Sequence, residues 1–170
     1  MACYVLDANL FIQPFRLYYP FDFAPGFWAH FESVLSDSDV LLIKEVKNEL
    51  TKGKDALDQW IESLTINENI ILDEIEKNKA YGEVIKFIDR SEYYKPAALR
   101  VWADISVADP WIIASANIIN GTIVTLEQSA GKITITSPSG KPRIPDIAKY
   151  FDISCINLFD FMRIKGFEWK

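Results

Sequence analysis

Short uniformly apolar runs alternate along the chain with stretches in which apolar residues recur every three or four positions, the pattern of buried strands that feed into amphipathic helices. Residues 3–6 (Cys-Tyr-Val-Leu) are apolar throughout and end at Asp7, as a strand covered on both faces would. Residues 9–12 suffice for one helical turn, after which Pro14 and the run Tyr18-Tyr-Pro-Phe-Asp-Phe-Ala-Pro25 favour an ordered loop, a candidate lid or partner surface. Helical spacing resumes over Gly26–Leu35 through Phe27, Phe31, Val34 and Leu35. Val40–Ile43 then reads as a second buried strand, Lys44–Leu50 as a helix, and residues 56–64 and Ile75–Ile88 as two more.

After Lys95-Pro96 the spacing predicts a short helix through Trp102. In Ser106-Val-Ala-Asp109-Pro110, Asp109 is placed to cap a helix with Pro110 at its first position, and Asn120-Gly121 stops that helix. Ile123-Val-Thr125 is a third strand with Glu127 just beyond its end. Residues 132–136 alternate like an edge hairpin, Ser137–Pro142 is a turn-rich connector, Pro145–Phe151 a helix, Ser154–Ile156 a last strand and Leu158–Ile164 a closing helix. With no linker or repeat, this order predicts a single α/β domain over residues 1–170, a three-layer α/β/α arrangement around a central, mostly parallel sheet.

A chain of 170 residues, 49% of them apolar, can bury a full core without disulfides or a structural metal. Cys3 and Cys155 stand far apart in strand-like surroundings and are expected to be buried free thiols. No apolar run is long enough for a membrane span, and Met1 leads into the first strand without a basic, then apolar, leader, so a cytoplasmic protein is expected. The formal net charge of −6 argues against a broad basic surface for nucleic acid. A local basic groove is still open to Lys44, Lys47, Lys52 and Lys54, or to Lys141 and Arg143. His30, the sole histidine, sits among Phe27, Trp28 and Phe31, which disfavours a histidine-relayed nucleophile.

The acids change the picture. In open parallel sheets ligands bind outside the carboxyl ends of the strands, where Asp7 and Glu127 stand. The helix opened by Asp109 precedes a strand, so its first turn can lie over the same edge. Glu49 borders the buried face set by Val46 and Leu50. Carboxylates gathered this way repel one another and raise at least one pKa unless something positive compensates. An all-oxygen set suits Mg²⁺ or Mn²⁺ better than zinc, and such ions activate water and neutralise charge growing on a phosphoryl group. Taken singly, an Asp at a helix start is commonly a cap and a Glu on a helix commonly solvated. Asp7, following a wholly apolar strand, has lost water and needs a partner.

Val5-Leu-Asp-Ala-Asn9, Val46-Lys-Asn-Glu-Leu50, Ala108-Asp-Pro-Trp-Ile-Ile-Ala-Ser-Ala116 and Val124-Thr-Leu-Glu127, in that order, resemble the PIN-domain family. The resemblance spans residues 3 to 127 and continues through Ile144-Pro-Asp146 and Cys155-Ile-Asn157. It implies a PIN-like fold in which Asp7, Glu49, Asp109 and Glu127 hold the metal and carry catalysis, supported by Asn9 and Thr125. Glu45 lies one turn before Glu49, but only Glu49 has the family's Val three residues ahead and Leu immediately after. Glu127 departs from the Asp more usual at its position.

The resemblance further implies a Mg²⁺- or Mn²⁺-dependent endoribonuclease acting on RNA, of the kind found as VapC-like toxins, with a cognate antitoxin as partner and a homodimer as assembly. The alternative is a catalytically inactive PIN-like binding module, using the aromatic loop and Phe159, Phe161, Phe167 and Trp169. A phosphoacceptor domain is disfavoured, because Asn9 occupies the place of the acid–base Asp that such chemistry uses. Tyr18, Tyr19 and Phe21 could stack on unpaired bases, whereas Tyr4, Trp60, Trp102 and Trp111 fall on apolar faces and are assigned to packing.

Overall fold

A computed structural model describes residues 2–64 and 70–168. Strands β1 (Tyr4–Leu6), β2 (Val40–Leu41), β3 (Thr122–Val124) and β4 (Cys155–Ile156) form one sheet in the order β2-β1-β3-β4. Every pairing is parallel, with Tyr4 opposite both Val40 and Thr122 and Val124 opposite Ile156. Successive strand residues point to opposite faces, yet Tyr4, Val5 and Leu6 are all buried, so both faces of β1 are covered. The architecture is α/β, compatible with three α/β/α layers.

The helices are α1 (Asn9–Gln13), α2 (Pro25–Leu35), α3 (Lys44–Leu50), α4 (Ala56–Ser63), α5 (Glu74–Arg90), α6 (Pro96–Trp102), α7 (Asp109–Ile119), α8 (Ile144–Tyr150) and α9 (Leu158–Ile164). Helix α7 is buried from Pro110 through Ala116 because it touches β1, β3, α5 and α8 together. A helix apolar on all sides belongs inside a core. It stops at Asn120, which takes the left-handed conformation at φ 48°, and Gly121 N–H donates back to the Ala116 carbonyl at 2.8 Å. A Cβ at Gly121 would stand 3.1 Å from the Cys3 carbonyl oxygen, so the turn into β3 needs glycine for close approach. Among the described residues no helix is long and apolar enough to cross a membrane.

Three local expectations are corrected. The chain does not leave helix at Pro14: Pro14–Tyr18 forms a π-helical turn closed by Tyr19 N–H to the Pro14 carbonyl at 2.6 Å. Proline has no N–H to continue the α ladder, and the wider turn accommodates it. The aromatic segment that follows is divided: Tyr19 and Phe21 pack against the core, whereas Tyr18 and Phe23 stand exposed. Trp28 Nε1 donates to the Tyr19 carbonyl at 2.7 Å, and Phe21 lies 4.5 Å from Trp28 and 5.7 Å from Trp60 between ring centroids. Residues 132–136 make no hairpin strand. The Thr134 hydroxyl accepts Ser137 N–H at 3.1 Å and ties a tight turn there.

Both cysteines are free, and both are half-buried, not fully buried as expected. His30 does pack at the core margin, edge-on to Phe167 at 5.1 Å. Tyr4, Trp102 and Trp111 are buried and Trp60 packs against the core. Phe161 is also buried, under Tyr4, so it cannot belong to a surface for a partner. Phe159 is exposed, Phe167 packs against the core, and Trp169 lies outside the described residues.

A charged contact crosses the interior. Lys77 Nζ on α5 reaches both Glu45 oxygens on α3 at 2.9 and 2.8 Å, with both residues buried, and lies 5.4 Å from the Trp111 ring centre. Removing one member of such a pair leaves an uncompensated buried charge, whereas replacing both with apolar groups does not. Lys77→Met should therefore lower the unfolding free energy by about 3–5 kcal/mol, and Glu45→Leu/Lys77→Met should recover most of the loss, measured by urea denaturation.

Candidate active site

Strand order makes the crevice. The chain passes from β1 out to β2 on one side, returns to β3 on the other side of β1, and continues outward to β4. Connections thus diverge at the carboxyl ends of β1 and β3, the topological switch point where α/β sheets hold ligands. Asp7 and Thr125 are the first residues past those strands.

Asp7 is 2% exposed. Its backbone N–H continues the ladder to the Val124 carbonyl at 3.1 Å, and one side-chain oxygen accepts the Thr125 hydroxyl at 2.6 Å. That hydroxyl accepts the Glu127 N–H at 2.9 Å, so a single side chain orients Asp7 and fixes the backbone carrying Glu127. Asn9 approaches Asp7 more loosely, with its N–H and Nδ2 each 3.4 Å from a carboxyl oxygen. Burial pushes the Asp7 carboxyl up to about 6, despite the opposing pull of Thr125 and Asn9.

Asp109 is not the cap residue that its position before Pro110 suggested. Ala108 caps α7 and Asp109 is its first helical residue. Among the described residues nothing hydrogen-bonds its carboxyl, which leaves the half-buried group available to a ligand. Burial, then the charges of Asp7, Glu127 and Glu49 in that order, push it up to about 8, with Arg143 pulling the other way. The residues drawn from four separate segments therefore do share one field. Glu49, half-buried at the margin of α3, is also raised, by burial. Glu45, its competitor, is engaged with Lys77.

Glu127 is committed elsewhere as the structure stands. Arg143 Nη1 donates to one oxygen and Ile144 N–H to the other, both at 2.8 Å. The hydrogen bond from Arg143 to Glu127 raises the arginine's pKa. An open cleft of about 510 Å³ lies alongside, lined by Asn9, Gln13, Glu127, Ser129, Lys141 and Arg143. Of the two basic groups in the sequence, the pair Lys141 and Arg143 is the one at this cleft. Lys44 instead reaches Glu74 at the surface, at 3.2 Å.

The donor chemistry fits a hard divalent cation: oxygen only, buried at Asp7 and half-buried at the other three acids, mutually repelling, and answered within the protein by Arg143. The arrangement is not yet a coordination shell, since among the described residues no three His, Cys, Asp or Glu side chains are grouped so as to hold a metal. Side-chain rotation, Glu127 leaving Arg143 above all, is needed to close it. The role of Arg143 toward Glu127 lies beyond sequence reasoning, because the two are 16 residues apart with no shared motif.

A family model described as domain of unknown function (DUF4411) matches residues 4–169. The chain belongs to this family. The DUF4411 match covers nearly the whole domain, so Asp7, Glu49, Asp109 and Glu127 all lie within it. No curated protein matches the chain.

The raised carboxyls give metal-free stability a pH dependence. An unfolded aspartate ionises near 3.8, whereas folded Asp109 keeps its proton to about 8 and Asp7 to about 6. Between these limits the folded state binds more protons than the unfolded state, so stability falls as pH rises through that window. Asp109→Asn should flatten the fall and make the metal-free protein more stable than the parent at alkaline pH, by at least about 1 kcal/mol, read from thermal melts in chelator across the range.

Proposed function

We propose that this chain is a PIN-type nuclease that hydrolyses RNA phosphodiester bonds with Mg²⁺ or Mn²⁺ held by Asp7, Glu49, Asp109 and Glu127. The observation that carries the reading is Asp109, a half-buried carboxyl on the first turn of α7 that no group among the described residues hydrogen-bonds, and whose pKa burial and the charges of the other three acids push up to about 8. Such a cluster is stable with a proton or a cation in it, and a divalent cation is the occupant its oxygen-only chemistry favours. The order of the four acids within PIN-like motifs supports the same conclusion.

When bound, the ion acidifies an attacking water and neutralises charge on the phosphate. The chain's own residues do the rest. Thr125 holds Asp7 in one orientation through its 2.6 Å hydrogen bond, and Asn9 stands beside the same carboxylate. Lys141 and Arg143 line the cleft that a phosphodiester would enter. Arg143 is half-exposed, and a fork of N–H donors is suited to a phosphate. A phosphate that draws Arg143 away would release Glu127 toward the other acids.

The resemblance extends this reading to the toxin of a toxin–antitoxin pair, acting in the cytoplasm with an antitoxin as partner and a homodimer as assembly. A second reading, a PIN-like module without catalysis, is favoured by the engagement of both Glu127 oxygens, at 2.8 Å each.

Asp7→Asn should abolish Mn²⁺-dependent cleavage of a single-stranded RNA while leaving the circular dichroism spectrum unchanged. Thr125→Val, which leaves Asp7 in place but unoriented, should reduce cleavage by about 10–100-fold. Full activity in Asp7→Asn would remove the basis for the nuclease reading.

A further inference from the structure

A second cleft, of about 1240 Å³, opens where the carboxyl-terminal end of α5 and helix α8 meet segments 91–94 and 129–135. Its wall is built of rings. Tyr150 stacks on Phe87 with centroids 3.8 Å apart and planes at 26°, and Phe151 meets both edge-on. Phe87 covers one face of Tyr150, yet Tyr150 is 63% exposed, so its other face is open to solvent. Tyr93 supplies a second exposed ring. The segment bearing it is fastened in place: Ser139 N–H donates to the Tyr93 carbonyl at 2.9 Å and Lys95 N–H to the Ser139 carbonyl at 2.8 Å.

The cleft's charges balance in a chain of net charge −6. Lys86, Arg90 and Lys149 line it beside Glu83, Glu92 and Asp146. Glu83 lies 3.6 Å from Lys86, and Asp146 accepts the Ser129 hydroxyl and the Ala130 N–H. Arg90 and Lys149 make no ion pair among the described residues. Two cations free of ion pairs beside open ring faces match a polyanion that carries flat bases, the cations meeting its backbone and the rings its bases. Ser129 borders both this cleft and the one lined by Glu127, Lys141 and Arg143, so one extended chain can occupy the two.

We infer that the ring-walled cleft binds the single-stranded RNA flanking the scissile phosphate, a base stacking on the open face of Tyr150 and the backbone lying against Arg90 and Lys149. The inference rests on the nuclease reading for the strand's course, but its test does not depend on cleavage. Binding of a fluorescein-labelled oligouridylate of about 12 nucleotides to the intact chain is measured by anisotropy at low salt in EDTA, with Mn²⁺-dependent cleavage of unlabelled RNA followed in parallel.

Tyr150→Ala should weaken binding about tenfold. Tyr150→Phe, which keeps the ring, should bind as the parent does. Arg90→Glu/Lys149→Glu, surface changes that do not touch the ring stack, should weaken binding further and reduce its salt dependence. Loss of binding in these variants by a chain that cleaves nothing would sustain the cleft and defeat the nuclease reading. Cleavage with binding indifferent to both Tyr150→Ala and the charge-reversed pair would do the reverse. A parent protein that fails to bind the oligonucleotide would also overturn the inference.

Discussion

The organising constraint in this protein is repulsion among carboxylates that the fold does not let apart. Asp7 is held by the β1–β3 ladder and by Thr125, Asp109 by the first turn of a buried helix, and Glu49 by a helix fastened to the core. None can relieve the crowding by turning its backbone into water. What remains is to keep a proton, which Asp109 does up to about 8, or to recruit positive charge, which Glu127 does through Arg143. On the proposed reading, both stand in for a divalent cation.

The surrounding structure explains why the crowding persists. A parallel sheet buried on both faces leaves its carboxyl edge as the place where polar groups can gather, and the divergence of connections around β1 and β3 opens a crevice there. The buried pair Lys77–Glu45 locks α5 to α3, so the helix presenting Glu49 cannot drift outward. Glu45 and Glu49 share one helix and take opposite roles, one neutralised inside the core, the other left at the crevice margin. The same fold continues past Ser129 into the ring-walled cleft, so that the two concavities share one boundary.

Much of this was legible from residue order. Uniform apolar runs located β1 and β2, whose residues are buried on both faces, and the breakers around Pro96 and Asn120 set helix ends through local chemistry. Asp7 and Thr125 could be paired in advance only as successors of neighbouring parallel strands; their 2.6 Å contact joins residues 118 apart. Legibility ended where long-range packing outweighed local preference. Pro14 was absorbed into a π-turn, beyond which Tyr19, Phe21, Phe27 and Trp28 pack on the core. Residues 132–136 had the alternation of a strand but no sheet edge to join. The Lys77–Glu45 pair left no trace, since a charged residue on a charged helix carries no periodicity that distinguishes a buried position.

The central claim is that the carboxylates form a single cation site held open in the metal-free protein by a retained proton. Calorimetric titration of Mn²⁺ into the chain near neutral pH, in two buffers of different ionisation enthalpy, addresses it directly. Saturable binding accompanied by proton release, both lost in Asp109→Asn, is the result predicted. Absence of saturable binding, or binding without any proton released, would contradict it.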